Sequence, residues 1–357
     1  MEEGNGEWLP FIDIGPCDSY QMGFVIGQRF AHLIESRVSK DKALQEEMLP
    51  FAKSADGHSL IESLSTNNRN KYPRYWNELR GTAEGSGVPF LQVLLLNFRK
   101  EIAPFLPEKI PASELANAEE CSDNLVLNSS TALVVHNEDA SISVIGHVYL
   151  VKATLQSGAS FTAYTYAGEL PSCAFGFNSH GVAFTLNAVP PTKEEVEIGG
   201  IGRNFISRDL LEAVSIEDAL KRVHLPNISV GHSYNLIDVR QRRILNVETA
   251  SKNRISVLEV GSIPFFHANM YLHLKIGQAN DKSSISRQKR AAELPNSSLV
   301  ESLSLLGDTS DEKNPIFMQG PILCTLCTAV IDLDQKMLSI YRGNPKLEKV
   351  VYLFPLT

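Results

Sequence analysis

The sequence predicts an α+β protein in which sheets are layered with helices. Three observations carry this reading. The first 120 residues are mainly helical in pattern, the texture turns β-rich after Cys121, and a helical pair over 205–223 separates two strand-rich runs. A chain of 357 residues can bury a real core, as one large domain or two smaller ones.

In chain order, Phe11–Ile14 reads as a short strand, ended by Gly15-Pro16. A helix follows with Met22, Val25, Ile26, Phe30, Leu33 and Ile34 on one face, and Gly23 and Gly27, four apart, suggest close packing against a neighbour. Residues 40–70 are helical with a polar break at 53–58, 72–84 form another helix closed by Gly85-Ser86-Gly87-Val88-Pro89, and 90–101 a third. Residues 105–120 read as a loop or marginal helix, a linker. Beyond Cys121, alternating Val, Ile, Tyr and Thr mark strands over 141–153 and 160–166. Phe177 and Val182 flank a hairpin in which Gly181 supplies the positive φ. The helix over 205–223 breaks at Ser215, an N-cap with Asp218 at the capping-box position. Residues 234–238 and 243–248 make a hairpin, 256–258 and 264–267 add strands, 286–294 are helical, and 324–333 with 338–341 close on a hairpin.

Forty-one acidic against 33 basic residues leave a formal charge of −8, which favours solubility and argues against nucleic acid as the main partner. No run of 18 apolar residues exists and the N-terminus lacks an apolar h-region, so neither membrane span nor signal peptide is expected. Five scattered cysteines fit a reducing compartment. Cys324 and Cys327 form a C-x-x-C, but inside a strand pattern residues three apart point to opposite faces, so the thiols should diverge. With no second Cys/His pair at zinc spacing, structural cysteines are the better reading and a zinc site a distant one.

The stretch 119–139, E-E-C-S-D-N-L-V-L-N-S-S-T-A-L-V-V-H-N-E-D, is a β-hairpin with Cys121 at its mouth. A thiol at the start of a strand, with Asn137 and Asp139 returning beside it, is where nucleophilic chemistry can sit. Local pattern alone favours the ordinary fate of a free cysteine, a small buried hydrophobe.

Several segments together decide otherwise. G-P-C-D-S-Y-Q-M-G-F-V-I-G (15–27), E-L-R-G-T-A-E-G-S-G-V-P (78–89), L-L-L-N-F-R-K-E (94–101), E-C-S-D (120–123), H-N-E-D (136–139), G-F-N-S-H-G-V-A-F-T-L-N (176–187), R-N-F-I-S-R-D-L-L-E-A (203–213), S-Y-N-L (233–236), H-A-N (267–269), S-S-I-S-R (283–287) and R-G-N-P (342–345) occur in this order. By their number and order the chain resembles the acyl-coenzyme A:6-aminopenicillanic acid acyltransferase family, the C45 peptidases among N-terminal-nucleophile hydrolases.

The resemblance implies a four-layer αββα sandwich over 121–357 and a helical pro-segment over 1–120, cut between Glu120 and Cys121 and kept as a non-covalent partner. It implies that Cys121 is the nucleophile, that Asp139 orients the freed amino group, that Asn235 and Asn187 donate to the oxyanion, and that Arg287 stands near the new amino terminus. A thiol with a free pKa of about 8.5 is mostly protonated at neutral pH, and an α-amino group at about 7.7–8.0 can take its proton without a histidine. No metal or other cofactor is then implied. For the other positions the rival readings are a turn-capping carboxylate at Asp139 and a solvated helix arginine at Arg287, while Asn178, Asn269 and His267 read as structural.

The chain departs from the family pattern at two places. Glu120 stands where glycine is usual before the cut, which should slow processing, and Cys-Ser-Asp replaces Cys-Thr-Ser, which brings Asp123 near the thiol. With no basic cluster for coenzyme A phosphates in the middle chain, hydrolysis is favoured over transfer. The expected function is therefore an autoprocessed cysteine amidohydrolase acting on small acylated amines or amino acids, with acyl transfer as its close variant. The alternative is an uncut, non-catalytic binding protein of the same fold. Absence of targeting signals points to the cytoplasm, with peroxisomes as the other compartment known among relatives.

Overall fold

The computed structural model describes residues 8–106, 120–171, 173–278, 281–347 and 350–356. The linker read over 105–120 lies largely outside them, from 107 to 119. The fold is α+β, and its described residues form two sheets between two helical layers.

The N-terminal part supplies strand β1 (Phe11–Cys17) and helices α1 (Ser19–Arg29), α2 (Ala31–Lys40), α3 (Ala55–Lys71), α4 (Pro73–Ser86) and α5 (Phe90–Asn97). The helix expected across Met22 to Ile34 is two helices, because Phe30 leaves helical geometry at φ −112° and ψ 20°. Then come β2 (Ser122–Leu127), β3 (Ala132–Ser141), β4 (Val148–Leu155), β5 (Ser160–Tyr166), β6 (Phe175–Asn178) and β7 (Val182–Ala188). The helical pair is α6 (Arg203–Leu210) and α7 (Ile216–Val223), split as expected at Ser215, whose hydroxyl accepts from the Asp218 amide. After β8 (His232–Asp238), β9 (Arg243–Ala250), β10 (Arg254–Glu259) and β11 (Phe265–His267) follow α8 (Lys282–Ala291) and α9 (Leu299–Leu306). The chain closes on β12 (Leu323–Asp332), β13 (Met337–Tyr341) and β14 (Val350–Pro355).

One sheet has eight strands in the order β1-β4-β5-β6-β7-β8-β9-β10, and the other six in the order β11-β2-β3-β12-β13-β14. Their facing sides share one apolar cluster, with Leu125, Val134, Ala329 and Ile331 of the smaller sheet packed among Leu150, Tyr164, Phe175 and Ile237 of the larger. The larger sheet turns Val151, Phe161, Phe184 and Leu236 outward onto α1–α7. The smaller sheet turns Val126, Leu133, Val135 and Val330 onto α8 and α9. The N-terminal segment is thus no appendage, since β1 pairs in parallel with β4 and its helices cover the larger sheet.

Two of the expected close contacts have a clear cause. Gly23 and Gly27 of α1 face Gly81 and Gly85 of α4, and a Cβ at Gly23 would stand 1.9 Å from the Glu78 carbonyl oxygen and one at Gly81 2.1 Å from that of Tyr20. The two backbones touch because no side chain intervenes. The same helix presents Glu78 to Arg208 of α6 in a buried ion pair, Nε donating to both carboxylate oxygens at 3.1 Å.

The C-x-x-C expectation is corrected. Strand β12 carries a bulge, so that Cys324 lies opposite Ala140 and Cys327 opposite Glu138, two positions apart on β3. Leu326 is the extra residue, and it returns both cysteines to the face between the sheets, where both are free thiols. No helix of the described residues is long and apolar enough to cross a membrane.

Gly23→Ala and Gly81→Ala should each destabilise the fold by about 1–3 kcal/mol or more, since backbone must move to admit the methyl group. Gly15→Ala, where a Cβ meets nothing within 4 Å, should melt within a degree or so of the parent in the same thermal scan.

Candidate active site

Cys121 lies one residue before β2, and strand alternation decides what it meets. Residues 121, 123 and 125 of this strand and 134, 136 and 138 of β3 point between the sheets, while 122, 124, 137 and 139 point toward α8 and α9. The Cys121 sulfur therefore faces Glu138, with Sγ 3.3 Å from Oε2, and is buried.

Glu138 opens a chain of buried polar groups. The imidazole of His136 bridges two carboxylates, with Nε2 3.0 Å from Glu138 Oε2 and Nδ1 3.0 Å from Asp123 Oδ1. Tyr166 of the larger sheet donates its hydroxyl to Glu138 Oε1, and Thr185 donates to Asp123 Oδ1 at 2.7 Å. Asn235 Nδ2 donates to Thr185 Oγ1 at 2.9 Å, and its Oδ1 accepts from Asn246 at 2.8 Å. Burial works against a charged imidazole, but the charges and hydrogen bonds of Asp123 and Glu138 outweigh it and push His136 up to about 10. The result is a charged cross-link between two sheets in an otherwise apolar interior.

Arg287 organises the other side. Asp281 caps α8 by accepting from the Ser283 and Ser284 amides, so the helix starts earlier than its sequence pattern suggested and presents Arg287 one turn in. The guanidinium is fully buried. Nη1 donates to Glu120 O at 2.8 Å, to Cys121 O at 2.9 Å and to Ser122 Oγ at 2.9 Å. Nη2 donates to Asn269 Oδ1 at 3.0 Å and Ser284 Oγ at 3.1 Å, and Nε to Ser283 Oγ at 3.2 Å. The Glu120 side chain is held in turn, accepting from Ser283 Oγ at 2.5 Å and lying 3.7 Å from Arg287 Nη2.

Of the residues singled out in the sequence, the structure gathers Glu120, Cys121, Asn187 and Arg287 into one contact group, with Asn187 Nδ2 donating to Cys121 O at 3.3 Å. Asp139 and Asn235 are not in direct side-chain contact with the thiol among the described hydrogen bonds. Asp139 reaches it through its main chain, with O 4.0 Å from Sγ and also accepting from the Glu120 amide at 3.2 Å. Its carboxyl is fully buried and has no hydrogen-bond partner within bonding distance, and burial pushes it up to about 8, against the pull of Thr325 and the Arg287 charge. Asn235 is linked through Thr185 and Asp123. Asn269, read as structural, orients Arg287 from its Oδ1.

Sequence reasoning missed His136 and Glu138. The signal was present: they alternate on a strand whose hairpin partner puts Asp123 directly across from His136. The outer helical layer also gathers Lys71, Arg74, Lys221 and Arg222 around a cavity of about 360 Å³, where sequence showed only single basic residues. Arg74 pairs there with Glu212, and Arg222 with Asp209 and Asp218.

The layered fold and the buried thiol at the head of a strand are the arrangement that the family resemblance implied. The chain belongs to the acyl-coenzyme A:6-aminopenicillanic acid acyl-transferase family, whose sequence model matches residues 126–347. It is similar to a beta-alanyl-dopamine/carcinine hydrolase of Drosophila melanogaster, 28% identical over 356 residues and covering 91% of each chain. Among solved structures it matches a Caenorhabditis elegans N-acylethanolamine-hydrolyzing acid amidase ortholog at TM-score 0.41 and 12% identity, over 64% of this chain and 94% of that one. It also matches a mutant conjugated bile acid hydrolase of Clostridium perfringens at TM-score 0.42 and 13% identity, over 67% and 98%.

Removing His136 leaves two buried carboxylates without their cation, so His136→Ala should cost about 3–5 kcal/mol in urea unfolding. The Asp139 carboxyl is raised from 3.8 to about 8, so the native state holds a proton that the unfolded chain has released over that interval. Stability from this group is full below pH 3.8 and falls as pH rises toward 8. Asp139→Asn should remove that slope, leaving a variant at least as stable as the parent at pH 8 to 9.

Proposed function

We propose that this chain is an autoproteolytically activated cysteine amidohydrolase, cut between Glu120 and Cys121. The observation that carries the proposal is Arg287 Nη1 donating at 2.8 Å to the carbonyl oxygen of Glu120, the carbonyl the cut would attack. A guanidinium preorganised on that oxygen stabilises the oxyanion that forms when Sγ adds to the carbon. Glycine's freedom before the cut is replaced by anchorage, since Ser283 and Arg287 hold the Glu120 side chain.

The steps balance within the site. Sγ adds to the Glu120 carbonyl carbon and its proton passes to the nitrogen of Cys121, which leaves as the C–N bond breaks. Water then hydrolyses the Glu120 thioester, freeing the Glu120 carboxylate, the thiol and a new α-amine. In turnover that amine takes the thiol proton, Sγ attacks the substrate amide, and the leaving amine departs with the proton. Water resolves the acyl-cysteine, or an amine does so in the transferase variant. Asp139 holds the new ammonium, and Asn187, already donating toward Cys121 O, supplies an oxyanion donor together with Asn235. Residues 1–120 stay bound after the cut, since β1 lies within the larger sheet.

The substrate class follows the curated relative: amides of small amines bearing a short acyl group of the β-alanyl type. Cys121→Ala should fold, run as one 39.4 kDa species and hydrolyse no β-alanyl amide, whereas the parent should give fragments of 120 and 237 residues (357 − 120) by intact mass. Turnover retained in Cys121→Ala would sink the assignment of the nucleophile. Arg287→Lys, which loses the fork geometry, should slow the appearance of the fragments by about 10²-fold or more.

A further inference from the structure

The groups around the thiol form a coordination set as well as a hydrogen-bonded one. Cys121 Sγ, a ring nitrogen of His136 and a carboxylate oxygen of Glu138 lie within 4.8 Å of one another, and all three residues are buried. Two of the separations are known: Sγ to Glu138 Oε2 at 3.3 Å, and Oε2 to His136 Nε2 at 3.0 Å. A tetrahedral zinc ion with its sulfur ligand at about 2.3 Å and its nitrogen and oxygen ligands at about 2.0–2.2 Å spaces those donors by roughly 3.2–3.6 Å. Those two pairs need to part by only a few tenths of an ångström, and the third, Sγ to the ring nitrogen, lies within 4.8 Å. One thiolate, one imidazole and one carboxylate suit zinc and not the hard cations magnesium or calcium.

Two further features separate this set from a chance cluster. Asp123 Oδ1 lies 3.0 Å from the far ring nitrogen of His136, the partner that fixes the orientation of a metal-bound imidazole. Tyr166 donates to the Glu138 oxygen that faces away from the thiol, leaving Oε2 to ligate. The charge also balances. Each ring nitrogen faces a carboxylate oxygen, an acceptor, so each carries a proton. A dication that displaces the Nε2 proton and the thiol proton leaves the net charge of this buried site unchanged, and no charge is buried without compensation.

We propose that the chain binds one zinc ion on Cys121, His136 and Glu138, and that the bound metal holds the thiol out of reaction. Binding forms Zn–S and Zn–N bonds as the S–H and N–H bonds break, two protons pass to solvent, and nothing is oxidised or reduced. A sulfur engaged by zinc can attack neither the Glu120 carbonyl nor a substrate amide. The site stands on its own geometry; its effect on activity rests on the function proposed above.

The test uses full-length protein freed of metal by a chelator and titrated with Co²⁺ as an optical probe and Zn²⁺ in a calorimeter. One equivalent should bind, with a thiolate-to-cobalt charge-transfer band and release of two protons. Cys121→Ser should remove the band, and the near-isosteric Glu138→Gln should weaken binding about tenfold or more with an unchanged circular dichroism spectrum. Cys324→Ser and Cys327→Ser should leave the band intact. No band, or a band that survives Cys121→Ser, overturns the site, as does a band lost in either of the other two cysteine variants. Amide turnover by metal-free protein with no cobalt band would sink the metal site alone. A cobalt band in a chain that neither cuts itself nor turns over amides would sink the enzymatic reading and leave the site standing.

Discussion

The site depends on one buried cation. Arg287 lies in the interior one turn into α8, and a guanidinium there is tolerable only if its donors are engaged. They are, by the carbonyls of Glu120 and Cys121 and by the oxygens of Ser122, Asn269, Ser283 and Ser284. Those partners come from the head of β2, the segment after β11 and the first turn of α8, so one side chain fixes where three separate pieces of chain meet. The two carbonyls cannot rotate away without leaving the guanidinium short of acceptors. The residue that stabilises this corner therefore also aims the groups on which the chemistry is proposed to act.

A second charged group shapes the space between the sheets. Apolar packing fills most of it, but Asp123, His136, Glu138, Tyr166 and Thr185 run through the middle as a hydrogen-bonded network drawn from both sheets. Such a network adds specificity of alignment: a shift of either sheet by one residue would strand buried charges, which an all-apolar interior would not penalise. The thiol of Cys121 sits at the edge of this network, so its surroundings are set by sheet alignment as much as by its own strand.

Sequence made the local parts of this fold legible. The Gly181 hairpin, the Ser215 cap and the backbone contact through Gly23 rest on residues whose geometry is imposed within a few positions. The order of family signatures also singled out Cys121 and Arg287, which the fold brings into contact. What escaped was set by pairing between distant strands. The parallel match of β1 with β4 joins segments over 130 residues apart in sequence and leaves no mark in either. The bulge at Leu326 reversed the expected divergence of Cys324 and Cys327, because a single extra residue inverts the parity on which alternation arguments rest. His136 and Glu138 went unread because their meaning lies across the hairpin, in Asp123, and across the sandwich, in Tyr166.

The parallel pairing of β1 with β4 has a thermodynamic consequence. In an intact chain, the strand closes an internal loop, and the cost of bringing it home is the slowly growing entropy of that loop. If the backbone is severed between Glu120 and Cys121 as proposed, the same pairing becomes association of two molecules, and folding acquires a dependence on concentration that the intact chain lacks. A matured enzyme that loses its first 120 residues on heating would regain them by collision alone, competing with aggregation of the uncovered helix-binding face of the larger sheet. Maturation would convert a reversible fold into one whose lifetime is governed by the rate of escape of its own N-terminal segment.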